Sequence, residues 1–447
     1  MRTRHVVISK QKHFLSKAFL PGILALAALG ALWQFRRTRQ SISEAHQPDP
    51  VPLHDAPPRV SIIVPMRNEA AHIDACLASL CAQNYPDFEI MVIDDGSSDA
   101  TPLLIAEWTR RDPRVRAHRI DQLPTGWAGK TYALHTGVML TRGEWLLFTD
   151  ADTCHGPQTL GVMMGHALRS HADMLSLLPN MMTLGGPVMP LLWPITAILL
   201  SLYVTPAEIR DPHSSRAFGF GQYLLLRRES YLATGGYDAP GMRATAVDDL
   251  ALAVHIKQAG WQIEVVNGRG LITNLQWTTW QSARQGWVKS GYSEIIRANL
   301  SLVTLLSAPA FFAYGLVPPG WLLYALATGK IRRFSTLLAA TTLLMQIDTK
   351  RRVDREYGLA LPWSLTAPLG WITCGVMLLD VTRLLLSGRR ASWKGRLLPT
   401  QERAIRPVRK QRLDSYPPPA KEETQSQNGK VSPDGGKSAE ERARERD

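Results

Sequence analysis

The sequence contains little cysteine and no internal repeat. Four cysteines occur among 447 residues, and their spacing matches neither a metal-binding motif nor a disulfide framework. We therefore expect four small buried thiols in a reducing compartment. No segment of roughly 20–50 residues recurs, which excludes a solenoid. The four cysteines are Cys76, Cys81, Cys154 and Cys374.

Acidic residues are in the minority. The chain has 51 lysines and arginines against 38 aspartates and glutamates, for a formal net charge of +13. The basic residues gather beside apolar segments and in the C-terminal tail, a distribution that argues against a nucleic-acid partner. An apolar content of 45% excludes a disordered chain, and the length allows one large or two medium domains.

A first apolar segment lies near the N-terminus. Ala18 to Phe35 is free of charge and is flanked by Lys17 and by a group of arginines beginning at Arg36. Its length is close to the roughly 17–25 residues that cross a bilayer. Because no small-residue cleavage pattern precedes the arginines, residues 1–40 are predicted to form a tail and an uncleaved transmembrane anchor.

The C-terminal third is also apolar. Residues 301–328, 334–347 and 361–386 carry almost no charge. Basic clusters separate them at Lys330–Arg333 and Lys350–Arg352, which suits membrane edges. We predict two to four spanning or re-entrant segments within residues 301–388. The alternative is a soluble protein with buried core helices.

The distribution of basic residues and the inferred chemistry predict opposite orientations in the membrane. Five basic residues precede the anchor and three follow it, so the positive-inside rule places the next domain outside. The chemistry inferred below requires that domain inside. The residues compared are Arg2, Arg4, Lys10, Lys12 and Lys17 before the anchor, and Arg36, Arg37 and Arg39 after it.

Polar segments bound the remaining domain. Residues 41–58 are polar and proline-rich, as in a linker. Residues 389–447 form a polar, partly basic tail without amphipathic repeats, which predicts disorder. The intervening residues 59–300 alternate strand and helix patterns. This alternation is typical of an α/β domain with a mainly parallel sheet.

Acidic clusters follow two predicted strands of this domain. Asp94-Asp95-Gly96-Ser97-Ser98-Asp99 follows a strand at 88–93, and Asp150-Ala151-Asp152 follows one at 144–149. In open α/β sheets, ligands bind outside the carboxyl ends of the strands. Alternating carboxylates suit Mg²⁺ or Mn²⁺, which share phosphate oxygens. Together the clusters suggest a metal-bound nucleoside diphosphate, although each alone is also compatible with an ordinary loop and helix cap.

These motifs resemble those of the family 2 glycosyltransferases with the GT-A fold. The resemblance rests on Val64-Pro65-Met66-Arg67-Asn68-Glu69, the turn at 94–99 and Asp150-Ala151-Asp152, in this order. It implies a nucleotide site formed by Pro65, Asn68, Glu69, Asp94 and Asp95. It further implies that Asp152 binds Mn²⁺ or Mg²⁺ directly, with Asp150 assisting.

A glycine–lysine segment extends the resemblance. Gly129-Lys130, followed by Ala133-Leu134-His135, is similar to a family segment in which asparagine takes the place of His135. A lysine at a helix start can neutralise phosphate, so Lys130 is a candidate nucleotide ligand or an ordinary surface lysine. His135 is expected to lie on a helix face or in the core.

A third acidic pair is Asp248-Asp249. It resembles the family's Glu-Asp-x-x-Leu motif on the acceptor side, in which the second acid is the general base, so Asp249 is the candidate base beside Asp248. A carboxylate within hydrogen-bond reach can remove the proton of an attacking alcohol. The alternative is a charged helix N-terminus that interacts with the helix dipole.

The donor-sugar and acceptor region is predicted from two further segments. Gly219, Gly221 and Gln222 precede a strand, and the resemblance places them beside the sugar or acceptor. Gln281-x-x-Arg284 is similar to the motif of processive polysaccharide synthases but lacks its tryptophan. The segment Gly286–Lys289, with Trp287 as a candidate acceptor residue, resembles the hopene-associated and carotenoid-type membrane glycosyltransferases.

The resemblance implies a membrane-bound, inverting glycosyltransferase with a nucleotide-sugar donor and a lipid acceptor. We expect a multi-pass protein of the inner membrane with its catalytic domain in the cytoplasm. One alternative is a polysaccharide synthase or a polyprenyl-phosphate sugar transferase. Another is a membrane scaffold with an inactive transferase domain.

Overall fold

The structure is a computed structural model of the full chain. It describes residues 2–48, 56–178, 188–275, 279–297, 301–331, 333–389, 392–393 and 396–397. Predicted linker residues 49–55 and most of the predicted tail lie outside these ranges, as does Trp277.

Strands and helices alternate in the central part of the chain. The strands are β1 (Val60–Met66), β2 (Phe88–Asp94), β3 (Val115–Arg119), β4 (Trp145–Phe148), β5 (Thr153–His155), β6 (Met174–Leu178), β7 (Leu224–Arg227), β8 (Ile263–Asn267), β9 (Ile272–Asn274), β10 (Ser392–Trp393) and β11 (Arg396–Leu397). The α-helices are α1 (Arg2–Glu44), α2 (Ile73–Cys81), α3 (Thr101–Arg111), α4 (Gly129–Met139), α5 (Thr159–Ser170), α6 (Val188–Tyr203), α7 (Pro206–Arg210), α8 (Arg228–Ala233), α9 (Asp248–Gln258), α10 (Trp280–Arg297), α11 (Ser301–Ala327), α12 (Phe334–Glu356) and α13 (Ala367–Leu386). Two 3-10 helices span Gly236–Asp238 and Leu361–Thr366.

The main sheet has seven strands in the order β3-β2-β1-β4-β7-β6-β8. Strands β1 to β4 are parallel, as are β6 and β8, whereas β7 runs antiparallel to β4 and β6. The predicted mixed, mainly parallel sheet is therefore confirmed. Antiparallel β5 and β9 form a separate small sheet.

Both faces of the main sheet are covered. Along β1, Ile63 belongs to one hydrophobic cluster and Ile62 and Val64 belong to the other. Successive side chains of a strand point to opposite faces, so a strand with both faces buried appears as an unbroken apolar run. This explains why the first strand was readable from the sequence.

Two predicted boundaries differ from the structure. The sequence pattern, with Ile73, Leu77 and Leu80 on one side, predicts a helix over residues 70–80. This helix begins at Ile73 instead, because the amides of Glu69 and Ala70 bond to the side chains of Thr101 and Asp99. At the N-terminus, α1 includes the predicted anchor and continues to Glu44, four residues into the predicted linker.

Apolar helices follow the catalytic domain. In the described part of the chain, Ser307–Ala327 and Leu361–Leu386 are long and apolar enough to cross a membrane. Residues 186–206 are apolar but interrupted by prolines, which predicts an interfacial or buried segment and not a full span. Helix α6, in this segment, has 16 residues and is shorter than the two candidate spans. All four cysteines are free thiols. Cys76 and Cys374 are buried as expected, whereas Cys81 and Cys154 are only partly buried.

Candidate active site

The loops after β1 and β2 are bound to each other. Asn68 has a left-handed backbone (φ 51°), and its side-chain Oδ1 accepts a 2.8 Å hydrogen bond from the amide of Ser98. The amide of Asn68 donates to Ser97 Oγ at 3.0 Å. Because β1 and β2 are parallel neighbours, the two predicted nucleotide-binding segments form one continuous edge.

Asp94 uses both carboxylate oxygens inside this edge. Oδ1 accepts from the amide of Ser97 at 2.9 Å, and Oδ2 accepts from Arg119 at 2.7 Å. The carboxylate is buried, so Asp94 shapes the turn. A contact between Asp94 and a nucleotide remains a prediction.

The other predicted nucleotide residues lie along the same edge. Asp95 is buried, and its Oδ2 is 3.9 Å from the guanidinium of Arg67. Glu69 is also buried and lies 3.1 Å from His72 Nδ1. Pro65 is within β1, opposite Ile93.

The central feature of the site is one lysine among three aspartates from two separate segments. Lys130, at the start of α4, places its Nζ 2.8 Å from Asp150 Oδ1 and 3.1 Å from Asp248 Oδ2. Asp249 follows in the first turn of α9, where its Oδ2 accepts from the amide of Gly221 and its Oδ1 from the amide of Leu250, both at 2.8 Å. The structure thus brings together the predicted residues Lys130, Asp150, Asp248, Asp249 and Gly221.

Gly221 lies directly against this cluster. A Cβ atom built on it would be 3.0 Å from Lys130 Nζ, 3.3 Å from Asp150 Oδ2 and 3.4 Å from Asp249 Oδ2. Glycine therefore lets the backbone approach the charged groups closely enough for its amide to bond Asp249.

The charges in the cluster affect one another. Burial, and then the negative charge of Asp248, raise the pKa of Asp249 to about 6, although Lys130 and the two amides oppose the shift. Burial lowers the pKa of Lys130, but Asp150, Asp248 and Asp249 outweigh it and raise that pKa well above its usual value. Three carboxylates against one ammonium leave an excess of negative charge, which favours a further cation.

Asp152 follows the same strand, two residues after Asp150. It is buried, and its backbone oxygen accepts a 2.7 Å hydrogen bond from Leu275, beside the β5–β9 pair. The thiol of Cys76 is near it: burial, followed by the charges of Cys154, Asp152, Glu69 and Asp150, raises the pKa of that thiol. The hard oxygen donors of Asp150 and Asp152, with the close approach allowed by Gly221, fit a divalent cation such as Mg²⁺ or Mn²⁺.

Lys289 is a residue that the sequence analysis did not assign to the site. Burial and the positive charge of Lys130 lower its pKa, while Asp248, Asp150 and Asp249 oppose that change, so its ammonium group is within electrostatic reach of the cluster. Its helix, α10, is held to α13 by a 2.6 Å hydrogen bond from Arg284 to Asp380. Its only sequence signal was its place in the Gly286–Lys289 segment.

The other predicted sugar-site residues have described contacts elsewhere. A Cβ on Gly219 would meet Leu224 at 3.0 Å in the core. The backbone oxygen of Gln222 accepts from Thr149 at 2.9 Å. Trp287 donates to Thr196 of α6 at 3.4 Å. Contacts of Gly219, Gln222 and Trp287 with a sugar stay predictions.

His135 has the packing role that was expected of it. Its Nδ1 is 3.3 Å from the hydroxyl of Tyr231, and its ring lies against Trp127. Burial lowers its pKa.

Comparison with known proteins agrees with this geometry. The model of the family described as glycosyl transferase family 2 matches residues 61–231, a range that contains β1, the acidic turns, Lys130 and Gly221. Residues 61–231 are thus similar to the family 2 glycosyltransferases. A mannosyltransferase from Pyrobaculum calidifontis, solved with GDP-Man and Mn²⁺, has a similar fold, with a TM-score of 0.51 and 19% identity over 82% of this chain and 99% of that one. The α/β domain of this protein thus has the GT-A fold.

Two curated relatives of this chain are glycosyltransferases of known name. A beta-monoglucosyldiacylglycerol synthase from Trichormus variabilis is 26% identical over 295 residues, covering 62% of this chain and 56% of the relative. A PGL/p-HBAD biosynthesis glycosyltransferase from Mycobacterium bovis is 42% identical over 100 residues, covering 22% of this chain and 36% of the relative. The chain thus spans about half the length of the first relative.

Proposed function

We propose that this protein is a membrane-bound, inverting glycosyltransferase that moves a sugar from a nucleoside diphosphate sugar to a hydroxyl group of a lipid. The observation that carries the proposal is the convergence of Lys130, Asp150, Asp248 and Asp249 beneath Gly221. The donor class is supported by the GDP-Man in the similar mannosyltransferase and by the excess of carboxylates at the strand ends.

The donor diphosphate would lie over this cluster. Asp150 and Asp152 are the residues that would hold a divalent cation, which neutralises diphosphate charge when bound. Lys130 and Lys289 add two ammonium groups within reach of the same carboxylates. Lys130 would exchange part of its pairing with Asp150 for a phosphate oxygen.

Asp249 is the proposed general base. Its raised pKa, about 6, lies near neutral pH, so the carboxylate is ionised but basic enough to accept a proton. The acceptor oxygen would attack the anomeric carbon while the bond from that carbon to the diphosphate oxygen breaks, and the hydroxyl proton would pass to Asp249. A single displacement of this kind inverts the anomeric configuration.

An apolar cavity next to the cluster supports a lipid acceptor. It lies between α1, α6 and the segment that contains Gly221. Phe220, the neighbour of Gly221, is part of its wall, together with Phe218, Leu200 and Val204. One relative is a beta-monoglucosyldiacylglycerol synthase, whose name identifies a lipid product. An acyl chain in this cavity would place the lipid headgroup near Asp249.

The test is a transfer assay with the full chain in liposomes that contain diacylglycerol or polyprenyl phosphate. Nucleoside diphosphate sugars are supplied with Mn²⁺, and products are identified by mass spectrometry. We expect a monoglycosylated lipid, and Asp249→Asn should lower kcat by roughly 10²–10⁴-fold, the usual contribution of a general base. Donor binding to this variant should be largely retained.

Two further variants complete the test. Asp152→Asn should abolish transfer and weaken Mn²⁺-dependent nucleotide binding in a folded protein, whereas Asp121→Asn, at an exposed carboxylate, should behave as the wild type. Equal activity of Asp249→Asn and wild type would reject Asp249 as the base. A polymeric product would favour a polysaccharide synthase, and no product from any donor would favour the scaffold.

A further inference from the structure

A second group of metal-ligating side chains lies away from the cluster described above. His46 directly follows α1, His166 lies on α5, and Glu264 lies on β8, the edge strand of the main sheet. His46 is half-exposed, whereas His166 and Glu264 are buried. The three join the N-terminal helix to the far edge of the catalytic domain.

The ligand atoms face each other at metal-site distances. His46 Nε2 is 3.4 Å from Glu264 Oε1, and His166 Nε2 is 3.2 Å from Glu264 Oε2. One atom from each of the three residues lies within 4.8 Å of both others. In a tetrahedral zinc site with bonds of about 2.0–2.1 Å, neighbouring ligand atoms are about 3.3–3.4 Å apart, which matches both histidine–carboxylate separations. These separations involve different oxygens of Glu264, so the carboxylate must turn for one oxygen to bind the ion beside both imidazoles.

The backbone around His46 holds its ring in a suitable orientation. Its Nδ1 is 3.2 Å from the carbonyl oxygen of Glu44 and 3.4 Å from Arg210 Nη1. Metal binding at Nε2 requires the tautomer with the proton on Nδ1, which then donates to Glu44 and gives up the contact with Arg210. Metal-binding histidines usually have such a partner on the second nitrogen. The carbonyl of His46 also accepts from the amide of Asn267 at 3.0 Å, which fixes this segment against β8.

From these contacts we propose that His46, His166 and Glu264 form a site for a borderline-soft divalent metal of the zinc class, with water as the fourth ligand. Two imidazoles and one carboxylate are a zinc donor set, unlike the all-oxygen donors of Asp150 and Asp152, which suit Mg²⁺ or Mn²⁺. The bound ion would fasten α1 to the sheet edge. The half-exposed ring of His46 leaves a path for the metal from solvent.

Arg210 is the group that opposes metal binding. Its Nη1 is 3.2 Å from Glu264 Oε1 and 3.4 Å from His46 Nδ1. A guanidinium at Oε1 can remain as an outer partner of the carboxylate while Oε2 binds the ion, but its positive charge lowers the affinity. Removing that charge should therefore strengthen metal binding, which is a distinctive consequence of this arrangement.

The experiment is a titration of the chelator-treated full chain in detergent with Zn²⁺ alone and with Co²⁺ alone. Excess Mg²⁺ is present throughout to occupy the oxygen site. We expect one tightly bound Zn²⁺ per chain, a tetrahedral Co²⁺ absorption spectrum, and a higher thermal midpoint with Zn²⁺. His46→Ala and Glu264→Gln should each weaken Zn²⁺ binding beyond the roughly 10–100-fold that loss of an outer partner costs. Arg210→Met should bind Zn²⁺ more tightly than the wild type.

His213→Ala, at an exposed histidine, is the matched control and should leave the affinity unchanged. Because the ring of His46 is half-exposed, His46→Ala should fold even if the buried Glu264→Gln does not. The proposal is overturned if the wild type binds no Zn²⁺. It is also overturned if His46→Ala binds as tightly as the wild type, or if Arg210→Met binds more weakly; the three residues then form a hydrogen-bonded cluster only.

Discussion

At the scale of single residues, Gly221 is where the backbone and the charged groups meet. Its amide holds Asp249, and the position of its missing Cβ is 3.0 Å from Lys130 Nζ and 3.3 Å from Asp150 Oδ2. A methyl group here must displace at least one of these groups. The added methyl group should therefore disturb the active site and not the packing of the core, because the atoms that must move are the ends of polar side chains.

Gly221→Ala should therefore yield a folded protein with transfer activity reduced by roughly 10²-fold, the cost of misplacing reacting groups by about 1 Å. Thermal unfolding and steady-state kinetics of the purified chain would measure both effects. Gly320→Ala is the matched control, since a Cβ at Gly320 has no atom within 4 Å. Full activity in Gly221→Ala would mean that the cluster does not take part in transfer.

Whether a site residue can be predicted from the sequence depends on what positions it in the fold. Asp94 and Asp150 stand at the ends of two parallel strands that flank β1, so the sequence pattern alone brings them to one edge of the sheet. Asp248, Asp249 and Lys130 were found by their resemblance to family motifs. Lys289, and the pair of His166 and Glu264 that is 98 residues apart in the chain, depend on tertiary packing, for which a single sequence carries no periodic signal.

At the scale of elements, the β5–β9 pair supports the segment that carries Asp152. β5 begins one residue after Asp152, and its last residue, His155, is buried with Nε2 2.9 Å from the hydroxyl of Thr149. Burial lowers the pKa of His155 from its ordinary 6.5 to about 3. The folded protein thus holds this ring neutral at pH values where the unfolded chain protonates it.

The low pKa of His155 determines how pH affects the stability of the fold. Between about pH 3 and 6.5 the unfolded chain binds more protons than the folded chain, so acidification destabilises the fold. At pH 5.5, one unit below the ordinary pKa, His155 alone should cost about 1.4 kcal/mol relative to pH 7.5.

His155→Gln removes the titrating group and keeps a side chain that can bond Thr149. The difference in unfolding free energy between pH 7.5 and 5.5, measured by denaturant titration, should be smaller in this variant by about that amount. His213→Gln, at an exposed histidine, should show the same pH difference as the wild type. An unchanged pH difference in His155→Gln would show that His155 is not the acid-sensitive group.

At the scale of the whole molecule, three helices extend away from the catalytic domain. Gln34 of α1, Tyr314 of α11 and Gln346 of α12 lie at one level, joined by hydrogen bonds of 3.1 and 2.9 Å. From this level toward their C-terminal ends, α1 and α12 run toward the catalytic domain. There the side chain of Glu44, the last residue of α1, accepts a hydrogen bond from the amide of Ala207. The parts of α1 before Gln34, of α11 after Tyr314 and of α12 before Gln346 therefore point the other way.

These three segments expose large apolar side chains, as a lipid-facing surface requires. Helix α13 packs on α6 and bonds α10 through Asp380, but it also exposes Leu369, Val376 and Leu386. In the described part of the chain, the segments long and apolar enough to cross a membrane are those of α11 and α13. We predict that α1 and α12 cross the membrane beside α11. The exposed side chains on the three segments are Leu26, Leu29, Trp33, Leu316, Leu323, Tyr324, Leu326, Phe334, Leu337 and Leu344.

This arrangement allows a topology experiment to decide between the orientation predicted by the basic residues and the orientation required by the chemistry. The turn between α11 and α12 must lie on the membrane face opposite the catalytic domain. If nucleotide sugars are supplied from the cytoplasm, that turn is outside the cell, against the five-to-three preference of the residues around the anchor. Single cysteines at the exposed positions Thr328 and Asp121, in an active variant without the four native cysteines, would report the two faces.

A membrane-impermeant maleimide should label Thr328→Cys in intact cells and Asp121→Cys only after lysis, because they lie on opposite faces of the bilayer. Both cysteines should be labelled equally in detergent, which controls for their reactivity. Labelling of Asp121→Cys alone in intact cells would mean that the positive-inside rule prevails and that a cytoplasmic nucleotide sugar cannot be the donor. Labelling of both in intact cells would contradict the three-helix crossing itself.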